Sequence, residues 1–142
     1  MKREILFRGK WKDNGEWVEG FLFEEKPPLQ CFGSTEKSKY YILNSGFADW
    51  NMPRPTTGIE VIPETIGQFT GLTDKNGVKI FEGDILRRGE GISFVVWCLD
   101  SWRFNSWMPG SMDLYNSVDK TRGENYEVAE VVGNIYDNPE LL

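Results

Sequence analysis

The stretch PETIGQFTGLTDKNGVKIFEGDIL, Pro63–Leu86, decides the fold. Glycines at 67, 71, 77 and 83 interrupt it every few residues, and the pieces between them are short, apolar and rich in β-branched or aromatic side chains. Pieces of this length are too short for stable helices but suit strands joined by tight turns. Asp74-Lys75-Asn76-Gly77 is the clearest turn, because Asp accepts hydrogen bonds from its own turn and Asn-Gly tolerates left-handed backbone. Phe81-Glu82-Gly83-Asp84-Ile85 repeats the device. There Asp84 is expected to accept a backbone N–H across the bend while Ile80 and Ile85 enter the core.

Working outward, the same grammar holds. Glu4–Trp11 and Trp17–Phe23 flank Asp13-Asn14-Gly15 and read as a hairpin. In its second arm Trp17, Glu19, Phe21 and Phe23 share one face, and Val18, Gly20 and Leu22 share the other. Both faces are mostly apolar, which predicts a strand held between two layers. Gly20 predicts a bulge or a close backbone approach. Glu24–Lys39, with Pro27-Pro28, reads as a loop. Tyr40–Leu43 is a strand, Asn44–Gly58 is irregular around Pro53 and Pro55, and Ile59–Ile62 is a strand again. Beyond Pro63 the expected strands are Thr65–Thr70, Val78–Phe81, Asp84–Arg87, Ile92–Cys98, Trp102–Asn105 and Tyr126–Val132. Pro109–Asn125 is a long loop, and Gly133-Asn134 turns the chain into Ile135-Tyr136. Short strands with glycine corners predict an all-β, barrel-like architecture.

Composition narrows the classes. A chain of 142 residues suits one domain or two small ones, and 39% hydrophobic and 14% aromatic residues exclude a disordered tail. No apolar run approaches the ~18 residues of a membrane-spanning helix, and MKREILFRGK has no signal-peptide core, which points to the cytosol. There is no histidine, which excludes Ser-His-Asp and Cys-His catalysis and any metal site needing imidazole. Cys31 and Cys98 read as free thiols in a reducing compartment. Residues 1–62 carry nine basic and nine acidic side chains, whereas residues 63–142 carry seven against thirteen and so hold the whole net charge of −6. That acidic half repels nucleic-acid phosphate.

Several motifs, in order, resemble the YopX family, whose members occur mostly in phages and prophages. They are the opening ILFRGK with WVEG, the stretch Pro63–Leu86, and the close GNIYDNPELL from Gly133. The weakly matching parts, Glu24–Gly58 and Ser106–Asn125, coincide with the loop-like regions. The resemblance implies an N-terminal β-rich part, residues 1–62, packed on a C-terminal SH3-like β-barrel, residues 63–142. It also implies a tendency to self-associate, and it carries over no catalytic, metal or cofactor residues.

Three clusters are candidates for chemistry or recognition. Glu64, Asp74, Glu82 and Asp84 could gather carboxylates for a metal or for acid–base work, but their spacing does not match a calcium loop and turn stabilisation is the expected role. Lys10, Trp11 and Lys12, with Lys2, Arg3 and Arg8, interleave cations and an aromatic ring as single-stranded nucleic-acid sites do, although strand alternation is expected to divide the cations between two faces. Trp102, Arg103 and Trp107 form an aromatic and arginine edge of the type enriched at protein interfaces. The sequence therefore predicts a cytoplasmic, non-enzymatic, self-associating interaction protein without a cofactor, with a host or phage protein as further partner. Nucleic-acid binding by the N-terminal hairpin is the alternative, and a carboxylate enzyme is a more distant one.

Overall fold

The computed structural model of the chain describes residues 4–28, 36–45, 56–98, 103–107 and 129–142, with the backbone alone for residues 45, 98 and 103–107. The strands are β1 Phe7–Lys10, β2 Trp17–Glu25, β3 Lys39–Ser45, β4 Thr56–Glu60, β5 Gly67–Thr73, β6 Lys79–Phe81, β7 Asp84–Arg88, β8 Gly91–Cys98, β9 Arg103–Trp107 and β10 Glu130–Asn134. The only helical pieces among the described residues are two single 3-10 turns, Pro63–Thr65 and Pro139–Leu141, each begun by a proline that needs no N–H there. The protein is thus all-β. Its strands form two antiparallel sheets, and no barrel closes among the described residues. Among the described residues no helix is long and apolar enough to cross a membrane.

Two compact units divide the chain, Ile5–Gln68 and Phe69–Leu142 with Met1–Glu4, and the boundary falls inside β5. In the N-terminal unit the order is β4-β3-β2-β1, with the first residues of β5 beside β1 through Phe7↔Gln68 and Arg8↔Gly67. The β1–β2 hairpin closes through Trp11 N–H to Glu16 O at 2.8 Å and Gly15 N–H to Trp11 O at 2.8 Å, with Gly15 at φ 74°. Past β4 the chain is tied on both sides: Val61 N–H donates to Tyr40 O, while Lys12 N–H donates to Glu60 O and Ile62 N–H to Lys10 O. Ile42 and Val61 are the buried centre of this unit.

Glycine sets the spacing inside that centre. A Cβ on Gly9 would stand 3.0 Å from Val61 Cβ, and one on Gly20 would stand 2.3 Å from the carbonyl oxygen of Leu43. Gly20 is therefore a close-approach glycine, one of the two roles its mid-strand position predicts. Two expectations need correction in this unit. Thr56–Gly58 is strand rather than irregular chain, because it pairs with Leu43–Ser45 once Pro55 is passed. And β2 is not covered on both faces: Phe21 is 61% exposed and Phe23 49%.

In the C-terminal unit β5 and β6 pair around a register break between Phe69 and Thr73, where Gly71 takes φ 88°. The second sheet runs β10-β7-β8-β9. Ile80, Leu86, Val95 and Ala129 form the buried cluster of this unit, with Val131 packed against it, and the Phe69 and Phe81 rings meet at 5.5 Å. Ile80 and Ile85 are both fully buried, as the reading of the turn between them requires. Each such side chain contributes about 1.5–3 kcal/mol through burial. The expected loop Pro109–Asn125 lies outside the described residues.

Candidate functional site

The signature carboxylates hold the backbone together. Asp74 is 5% exposed. Its Oδ1 accepts from Asn76 N–H at 2.8 Å and Val78 N–H at 2.9 Å, and its Oδ2 accepts from Val131 N–H at 3.0 Å on β10. Burial alone would push this carboxyl up, but the N–H bonds from Val131, Val78 and Asn76 outweigh it, and the acid sits below its ordinary value. Asp84 is 1% exposed, and its Oδ2 accepts from Phe81 N–H at 2.8 Å across the turn that Gly83 makes at φ 85°. Glu64 is exposed on the first 3-10 turn and Glu82 is half-buried.

The closing motif works in the same way. Asn134 Oδ1 accepts from Tyr136 N–H at 3.0 Å and Asp137 N–H at 2.9 Å, and its Nδ2 donates to Asp137 Oδ2 at 2.9 Å. Asn138 Oδ1 lies where a Cβ on Gly133 would come within 2.4 Å of it, so the glycine makes room for the asparagine. The turn itself is Ile135–Asp137, with Gly133-Asn134 ending β10 ahead of it. Among the described residues no group of three or more Cys, Asp or Glu side chains is arranged to hold a metal. Adding millimolar Ca²⁺ or Mg²⁺ is expected to leave the melting temperature unchanged. A rise of several degrees would show a cation bound to the folded state and overturn the structural role of these acids.

Of the N-terminal cations, Lys2 and Arg3 lie outside the described residues, while Arg8 and Lys10 fall on one face instead of being divided. Residues 8, 10 and 12 share a strand parity, and the register Lys10↔Trp17 and Arg8↔Glu19 sets the first two beside Trp17. The Arg8 guanidinium lies 4.6 Å from the Trp17 ring centroid and the Lys10 ammonium 5.5 Å. Trp11 has the opposite parity and bridges to Val61, so it is not the ring these cations use. Lys12 Nζ instead meets Glu60 Oε1 at 2.8 Å, which raises the lysine and lowers the glutamate.

The same outer face continues into a row that the sequence pattern assigns to a covered layer. Phe21 and Phe23 follow Trp17 and Glu19 along β2, opposite Leu43 and Tyr41 of β3, and the Phe23 and Tyr41 rings lie 6.5 Å apart. The Tyr41 hydroxyl donates to Glu25 at 3.1 Å, a bond that raises the phenol. The sequence signal here is two-sided: both faces of β2 are apolar, a pattern that marks large side chains on each face without naming what covers the outer one. Of the aromatic edge, Trp102 lies outside the described residues. Arg103 and Trp107 end β9, which pairs with β8 through Cys98↔Arg103 and Phe94↔Trp107, and their side chains are not described.

These features define an all-β protein whose recurrent acids and asparagines serve turns and whose N-terminal sheet exposes Phe21 and Phe23. The chain belongs to the YopX family: the model described as "YopX protein" matches residues 6–142. No curated protein matches it significantly. Among solved structures it is similar to the crystal structure of protein EF1440 from Enterococcus faecalis, with 25% identity, 99% of each chain covered and a TM-score of 0.48.

Proposed function

We propose that this chain is a non-enzymatic protein-interaction module that associates with itself, made by a phage or prophage and acting in the bacterial cytosol. The observation that carries this reading is the open row Phe21 and Phe23. Large apolar side chains held outward on a folded sheet, with Phe23 beside the Tyr41 ring and charges around them, support a surface that meets another macromolecule. The engagement of Asp74 and Asp84 by backbone N–H groups supports a structural and not a catalytic use of the motifs. An SH3-like relationship for the C-terminal unit is part of the reading and rests on the resemblance alone. A host or phage protein is the further partner expected at the same surface or at the β9 edge.

Nucleic-acid binding is the second reading, favoured by one observation, the convergence of Arg8 and Lys10 on one face. Two facts weigh against it. A base stacks on an open ring, and the Trp17 ring already carries both cations. The whole chain also bears a net charge of −6. Two differently tagged copies, co-expressed and captured through one tag, separate the readings. Capture of the second tag that survives nuclease and about 0.5 M salt is the expected result, since an apolar contact is not screened as phosphate contacts are. Loss of the second tag on nuclease treatment would transfer the function to nucleic acid.

A further inference from the structure

The aromatic and cationic face of the N-terminal sheet has a chemical counterpart elsewhere in the same chain. On the face, Arg8 and Lys10 stand beside Trp17, and Phe21 is the next outward residue along β2 after Glu19, the partner of Arg8, so a cation lies diagonal to an exposed ring. The counterpart is the segment after β10. Its two successive turns, closed by Asn138 N–H to Asn134 O, Leu141 N–H to Asn138 O and Leu142 N–H to Pro139 O, fold Tyr136 to Leu142 into one short compact piece. Tyr136 and Leu142 are among its exposed large apolar side chains, and Asp137 and Glu140 are exposed beside them. One surface thus offers cations with aromatic rings, and the other offers carboxylates with apolar side chains.

We infer that the Arg8, Lys10, Phe21 and Phe23 face of one copy docks the Tyr136–Leu142 segment of a second copy, a head-to-tail contact. This rests on the self-association proposed above. A second copy is favoured as occupant by charge complementarity: the face carries Arg8 and Lys10, and the segment carries Asp137 and Glu140 within the half that holds the entire net charge of −6. Because the two patches differ, each copy can receive a segment at its face and donate its own to a partner.

A mixing experiment distinguishes this arrangement from others. Lys10→Glu and Glu140→Lys are made separately, and sedimentation velocity is run on the wild type, on each variant and on their equimolar mixture. Glu140 is exposed and its replacement leaves the buried turns intact, so a folding defect does not obscure that arm. Each variant alone is expected to associate about tenfold more weakly than the wild type, the effect of roughly 1.4 kcal/mol. The mixture is expected to recover, because the intact face of the Glu140→Lys copy meets the intact segment of the Lys10→Glu copy. A wild type that associates while Glu140→Lys associates equally well would overturn this contact and leave self-association standing. A mixture no stronger than its components would do the same. A wild type that remains monomeric at every concentration would remove the parent reading as well.

Discussion

Asp74→Ala is expected to destabilise the protein by about 3 kcal/mol, because it removes the acceptor of three part-buried backbone N–H groups at a cost of about 1–3 kcal/mol each, part of which water recovers. For a chain of this size that corresponds to a fall in melting temperature of roughly 10 °C. The bonds concerned join the Asp74–Val78 turn to β10 across a separation of 57 residues, so the loss is felt by the whole C-terminal unit and not by one turn. Asn at this position is a useful comparison: it keeps one oxygen for Asn76 and Val78 but turns an NH₂ toward the Val131 N–H. The pH dependence follows from the lowered carboxyl. The folded state binds this proton more weakly than the unfolded chain, so the stabilisation is fully present above the unfolded value of about 3.9 and is lost as pH falls through the lower folded one. Urea melts between neutral pH and the acid range should show a fall in wild-type stability that is partly missing in Asp74→Ala. An Asp74→Ala protein with wild-type stability at neutral pH would show that the signature acid does not hold the turn to β10.

Gly20→Ala should be of similar size and should strike the other unit. Its Cβ would lie 2.3 Å from the Leu43 carbonyl oxygen and 2.9 Å from Ile42 Cγ2, and the first of these is backbone that moves only if β3 moves. Overpacking of this kind costs about 1–3 kcal/mol, and the upper end applies where Ile42, at the buried centre, is displaced. Gly58→Ala is the matched control on the neighbouring strand pair. Its nearest atom is Leu43 Cδ2 at 3.3 Å, the mobile end of a side chain, so little or no loss is expected. Equilibrium unfolding of the two variants side by side checks the contrast, and equal stability would show that the β2–β3 approach is not limiting.

The strands are legible where glycine and alternation speak together. The β1–β2 hairpin, the Asp74 and Asp84 turns and the strands β7 and β8 all follow from local residues. What the sequence hides is partnership over distance. Asp74 announces a turn, but nothing near it names Val131 as its third donor. Lys10 stands next to Trp11 in sequence, yet the register of an antiparallel pair gives it Trp17, and strand parity sends Trp11 to the opposite side. The exposed row Phe21 and Phe23 escapes a sequence reading for a related reason: two apolar faces suggest two covering layers, and composition does not say whether the second layer comes from this chain or from another. Pro53 and Pro55 likewise suggest an irregular run as far as Gly58, although a proline restricts only itself and the residue before it, and Thr56 is free to enter β4.

The central claim, that the outward aromatic row is an interaction surface for this protein itself, is tested most directly by sedimentation velocity on the wild type and on the double variant Phe21→Ser/Phe23→Ser. Both side chains are largely in solvent, so the variant should keep its far-UV spectrum and its melting temperature. The expected wild type has a mass that exceeds the 16.4 kDa of one chain and rises with concentration, and the expected variant sediments as a single chain. Identical association by the two proteins would contradict the claim.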